Sequence, residues 1–208
     1  MARLMSLVRT IYNGFFKLEE WDVGGPFTHV VLRGTDSVAG LLVDMTNERF
    51  LLVRQQRPAM IREDNPDGFI TEAVAGRFDV NLGPKALMVK ETKEEAGVEI
   101  SEKDVELLNH GLPMALSAGA TTERSYLAYV EIHPDAVDPD DQQQRGVADE
   151  GEAITRVWHS FDDIHDMNFD CVRVLALVQH LKIRLLQTFI NQGYRKPLGL
   201  GYPSKGHR

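Results

Sequence analysis

The sequence predicts an α+β fold, and three observations carry that expectation. Short runs with strand-like alternation dominate the first third of the chain. Two longer segments, residues 84–96 and 170–192, have helical character. Strand-like runs return at residues 105–109, 126–132 and 154–160. This order suits a sheet covered by helices, with one helix on each side as one arrangement.

Residues 1–14 (MARLMSLVRTIYNG) are broken by Arg3, Arg9 and Asn13. They are too short and too polar for a membrane span or a signal, and read as a short amphipathic helix or strand. Residues 15–23 (FFKLEEWDV), 28–32 (THVVL) and 38–45 (VAGLLVDM) read as strands, with Gly24, Gly25 and Pro26 forming a turn. Thr46, Asn47 and Glu48 turn the chain into residues 50–55 (FLLVRQ), which predicts a hairpin. A polar loop at 61–68 leads to a strand at 69–75 (FITEAVA). Pro84 suits the first turn of a helix reaching about Ala96, and Gly97 suits the left-handed position after it.

The stretch LPMALSAGATTE, between the next two strands, is small and flexible enough for a binding loop. Residues 134–153 form a long acidic loop before the strand at 154–160. Phe161 begins a helix, the segment from Asp170 continues with strong helical periodicity, and the tail from Gly193 is basic and irregular.

With 208 residues, the chain has room for one large domain, or one domain with a smaller appendage. Its net charge of −8 and pI of about 5.4 give no overall attraction for nucleic acid or an anionic membrane. An anionic substrate would therefore need a metal or local arginines. The single cysteine, Cys171, excludes an internal disulfide and a thiolate metal cage, and fits a reducing, cytoplasmic setting. The seven histidines show no metal-ligand spacing, and neither a G-x-S-x-G motif nor a P-loop occurs.

Residues 90–98 (KETKEEAGV) place Glu91, Glu94 and Glu95 at the end of a helix. A helix C-terminus carries partial negative charge, so three carboxylates there call for a cation. Glu91 and Glu95 lie one helical turn apart on a common face, with Glu94 adjacent. Hard oxygen donors of this kind suit Mg²⁺ or Mn²⁺. A solvated helix face with interspersed lysines is the other reading of the same residues.

The longer stretch GRFDVNLGPKALMVKETKEEAGV, residues 76–98, resembles the Nudix box. Gly76, Glu91, Glu94, Glu95, Gly97 and Val98 fall in register with the family pattern. Leu82, Lys90 and Thr92 depart from it, standing where the family has a glutamate, its partner arginine and an apolar residue. IYNGFFKLEEW, RQQRPA, TEAVAGRFD, SAGATTERS and GVADEGEAI are similar, in the same order, to segments of the ADP-ribose pyrophosphatase branch. That branch shares its fold and much of its site with nucleoside-diphosphate-sugar hydrolases.

The resemblance implies a Nudix α/β/α sandwich behind an N-terminal antiparallel β domain. It assigns residues 1–36 to an N-terminal β region exchanged across a homodimer, 37–192 to the Nudix domain and 193–208 to a basic tail. It also implies metal binding by Glu91, Glu95, Glu152 and the Ala75 carbonyl, with Glu94 assisting, and a general base at Glu150. Arg33 and Arg57 would contact phosphates or the terminal sugar, Phe15 and Phe16 would stack on the base, and Glu123 would contact substrate. Its loop, SAGATTE, has Ala118 and Ala120 where the branch has proline and glycine. The implied reaction is Mg²⁺-dependent hydrolysis of ADP-ribose to AMP and ribose 5-phosphate, with Mn²⁺ as an alternative metal. Two alternatives stand beside it: another NDP-sugar as substrate, giving NMP and sugar 1-phosphate, and a catalytically weak nucleotide-binding domain.

Overall fold

The computed structural model describes residues 5–79, 81–137, 143–146 and 153–191. The most apolar run of the sequence becomes its central strand, β4 (Ser37–Asp44), in which all eight residues are buried. The predicted hairpin follows: β5 (Arg49–Gln56) returns antiparallel, pairing Leu42 with Leu51 and Asp44 with Arg49. At the turn the Asp44 carboxylate accepts the Asn47 N–H at 3.0 Å and Arg49 Nε at 2.9 Å. Glu48 takes a left-handed conformation there, with φ 51°.

Beyond Leu42 and Leu51 the two strands pair with different neighbours, and this opening positions the site. The expected single strand at 69–75 divides at buried Ala73 into β6 (Phe69–Glu72) and β7 (Val74–Arg77). β6 pairs with β5, whereas β7 pairs with β4. Neither partner can run the whole length of a strand that crosses the gap, so the segment breaks where it changes partner.

After α1 (Pro84–Glu91), β8 (Val105–Leu107) and β9 (Met114–Ala115) both pair antiparallel with β10 (Arg124–Glu131). β10 lies parallel to β4, with Ser125 opposite Ser37. β11 (Thr155–Ser160) closes the other edge against β5, giving the order β11-β5-β4-β10-β8.

Strand alternation divides the core between the two faces. Val38 and Leu42 of β4 pack with Leu87 and Met88 of α1. Ala39, Leu41 and Val43 pack on the other side with Val174, Leu177 and Leu181 of α2 (Val172–Asn191). Each fully buried leucine or valine contributes about 1.5–3 kcal/mol, so both helices are held by the sheet rather than by their own propensity. The product is the expected α/β/α sandwich.

The N-terminal segment forms a separate antiparallel sheet of β1 (Ser6–Asn13), β2 (Lys17–Asp22) and β3 (Thr28–Arg33). The choice left open for the N-terminus is thus resolved as a strand. β1 is exposed throughout. The sheet meets the main body at Leu32, whose N–H donates to Ala120 O at 2.8 Å and whose carbonyl accepts from Thr122 N at 3.0 Å. Among the described residues, no helix is long and apolar enough to cross a membrane.

Candidate active site

The carboxylates predicted to act together emerge from the end of α1, where the helix changes form. α1 is regular through Glu91, and Thr92–Ala96 form a π-helical turn that ends at Gly97, φ 69°. Glycine adopts that left-handed conformation without the steric cost borne by other residues. The first buried carboxylate, Glu91, lies against β7. A Cβ on Gly76 would come within 2.2 Å of its carboxyl group, so a side chain there would push the carboxylate out of this position. Glu95 Oε2 accepts the Ala75 N–H at 2.9 Å. Glu91 is 8% exposed and Glu95 2% exposed.

Lys90 provides a cation at this site. Its ammonium lies 2.6 Å from Glu94 Oε2 and 3.3 Å from Glu91 Oε1. Burial, the largest influence, works to lower the lysine's pKa, but Glu94 and Glu91 outweigh it and leave it raised. Leu82, at the position where the resembling family has a glutamate, is 40% exposed. Thr92, at the apolar position, is fully buried, and its Oγ1 has no hydrogen-bond partner among the described residues.

The carboxylates face a cavity of about 670 Å³, also lined by Phe15, Arg57, Glu72, Glu123 and Arg173. That size suits a small-molecule ligand. Glu72 anchors two arginines: Arg57 Nε donates to Oε2 at 2.8 Å, and Arg173 donates to Oε1 at 3.2 Å. Glu123 accepts the Ser37 hydroxyl at 3.0 Å. Phe15 is 80% exposed and meets Phe16 edge to face, with ring centroids 5.0 Å apart. The Arg77 guanidinium stands 4.6 Å from the Phe16 ring centre and 5.3 Å from that of Phe15.

The structure thus brings Phe15, Phe16, Arg57, Ala75, Glu91, Glu94 and Glu123 to one cavity. Glu95 lies behind it at Ala75. Arg33 is absent from the described lining; it pairs with Glu19 and stands over the Trp21 ring at 5.2 Å. Glu150 and Glu152 lie outside the described residues. On the near side of their loop, Gly146 N donates to the Glu94 carbonyl at 3.2 Å, and Arg145 pairs with Ile154.

Sequence reasoning missed Glu72, Arg77 and Arg173. A glutamate within an apolar strand was a signal for Glu72. Arg173 offered none, because it meets Glu72 only through the docking of α2.

Among the described residues, no three carboxylate, imidazole or thiol side chains are grouped to enclose a metal. The open set nevertheless fits a hard divalent cation. Its donors are carboxylate oxygens, and Glu91 and Glu94 already share a positive charge in the Lys90 ammonium.

The family model of the NUDIX domain matches residues 34–177. The chain belongs to the Nudix family. This match covers the main sheet, α1 with the box, the SAGATTE loop and the first turns of α2. The chain is also similar to GDP-mannose pyrophosphatases of Salmonella paratyphi B and Salmonella choleraesuis, each 33% identical over 93 residues. These alignments cover 45% of this chain and 46% of each relative, so the chain spans less than half the length of the curated relatives it matches.

Proposed function

We propose that this Nudix hydrolase cleaves the diphosphate linkage of a nucleoside-diphosphate sugar, with ADP-ribose as its substrate. One observation carries the reading: the buried box carboxylate Glu91 with its half-buried neighbour Glu94, a pair of carboxylate-anchored arginines and an aromatic pair line the same cavity. Each answers a different part of such a molecule. Phe15 and Phe16 stack on the base, and Arg57 and Arg173 pair with phosphate oxygens. Glu72 keeps both guanidiniums aimed, and Glu123, steadied by Ser37, accepts from sugar hydroxyls.

Glu91 and Glu95, assisted by Glu94, with Glu152 and the Ala75 carbonyl, would hold Mg²⁺ or Mn²⁺. Such a cation supplies charge neutralisation at the diphosphate and lowers the pKa of bound water. Glu150 takes the proton of the attacking water. The water oxygen bonds to one phosphorus as that phosphorus loses the bridging oxygen, yielding AMP and ribose 5-phosphate. The attachment of residues 143–146 beside the box helix supports a base delivered from that loop.

A second reading is the same chemistry on GDP-mannose, giving GMP and mannose 1-phosphate, and the two Salmonella relatives favour it. The N-terminal region, residues 1–36, is proposed to meet a second copy of the chain through its sheet of β1 to β3, which exposes Leu7, Val8, Ile11 and Val30.

The test is product identification after incubation with ADP-ribose, GDP-mannose and other NDP-sugars, in Mg²⁺ or EDTA, for wild type and Glu91→Gln. Metal-dependent AMP release, abolished by the substitution, is the expected result. GMP release alone would move the assignment to the second reading. Binding of these compounds without turnover would leave a nucleotide-binding domain and overturn the enzymatic proposal.

A further inference from the structure

We propose that Lys90 sets the metal affinity of this site: its ammonium is a built-in occupant of the cation position, and a divalent ion must displace it from Glu91 and Glu94. The proposal rests on the reading that the box carboxylates hold a divalent cation.

Three observations support it. The Lys90 ammonium bridges the two carboxylates at 2.6 and 3.3 Å, whereas a lysine on a merely solvated face would extend into water. Its side chain is 34% exposed, so the bridge is largely covered yet open on one side. Finally, the box position at residue 82 is a leucine, which offers no carboxylate to hold a cation elsewhere.

The consequence follows from charge. Glu91 and Glu94 lie close together, and Glu91 is nearly buried, so without a counter-charge each would raise the energy of the other. The ammonium removes that cost in the metal-free protein. A divalent ion makes stronger contacts with both carboxylates, but its net gain is reduced by the two ion pairs it breaks. Lysine suits a displaceable occupant because its ammonium is a point charge on a flexible stem, whereas arginine holds carboxylates through a rigid fork. Lys90 therefore stabilises the protein without metal and weakens its hold on metal.

The experiment titrates Mn²⁺ into wild type, Lys90→Met, Lys90→Arg and Glu91→Gln. Free Mn²⁺ is read by electron paramagnetic resonance, and thermal unfolding is followed in EDTA and in saturating Mn²⁺. Lys90→Met should bind Mn²⁺ about tenfold more tightly than wild type. It should melt below wild type in EDTA and regain the difference in Mn²⁺. Lys90→Arg keeps the charge but holds the carboxylates through its fork, so it should bind Mn²⁺ more weakly than wild type and melt no lower than wild type in EDTA. Equal or weaker Mn²⁺ binding by Lys90→Met, while wild type binds normally, would overturn the role of Lys90 and leave the metal reading intact. No Mn²⁺ binding by any variant would overturn the metal reading, and this proposal with it.

Discussion

At the scale of single residues, the site turns on Glu72. It is a buried carboxylate with a guanidinium on each oxygen, so two positive charges share one negative charge at the cavity wall. Both guanidiniums line the cavity, where they can meet an anionic ligand. Replacing Arg173 with Met should raise KM for the nucleotide sugar about tenfold, roughly 1.4 kcal/mol, while kcat changes little. Steady-state kinetics with the substrate identified by the panel checks this, and an unchanged KM would remove Arg173 from substrate binding. Gly76 was legible in the sequence as the box glycine. The reason for it, the Glu91 carboxyl group resting on its backbone, was not, because it depends on α1 closing over β7.

At the scale of elements, most strands and both helices were legible from period and punctuation. Misread boundaries fall where an element changes partner or form. One strand at 69–75 became β6 and β7 because β4 and β5 separate, a long-range event with no local signature. One helix at 84–96 became α1 and a π turn, a change that spacing alone does not reveal. Two elements also carry half-buried histidines. His159 of β11 stacks on Phe50, centroids 5.4 Å apart, and His180 of α2 meets the Tyr129 ring at 5.9 Å. Burial lowers the pKa of both, assisted by Arg184 at His180 and opposed by Asp163 at His159 and Glu106 at His180. The folded state thus resists protonation more than the unfolded chain, whose histidines titrate near about 6.5. Stability should fall as pH drops below that value. The double variant His159→Phe, His180→Phe should lose less melting temperature than wild type between about pH 7.5 and 5.5. Thermal unfolding at the two pH values decides it, and identical losses would assign the acid sensitivity to other groups.

At the scale of the whole molecule, the N-terminal sheet is the unfinished part. It exposes Leu7, Val8, Ile11, Phe27 and Val30, and a three-stranded sheet needs a covered apolar face to be stable. Leu7 and Ile11 are both exposed on β1, whose pairing with β2 shifts register after Leu7 and again after Thr10. If a second copy covers that face, wild type should sediment as a dimer and Leu7→Lys, Ile11→Lys as a monomer. A monomeric wild type, or a variant that remains dimeric, would refute the arrangement. The sequence by itself determined the strand and helix periods and, through the resemblance of residues 76–98 to the Nudix box, the family and its sandwich, because a motif is a pattern over a few residues. Tertiary structure alone decided that Arg173 meets Glu72, 101 positions away, that β6 and β7 pair with strands that have parted, and that Lys90 turns toward Glu91 and Glu94. The physical reason is that a charge is committed to a partner only when packing sets which groups lose water together, and local spacing carries no record of that.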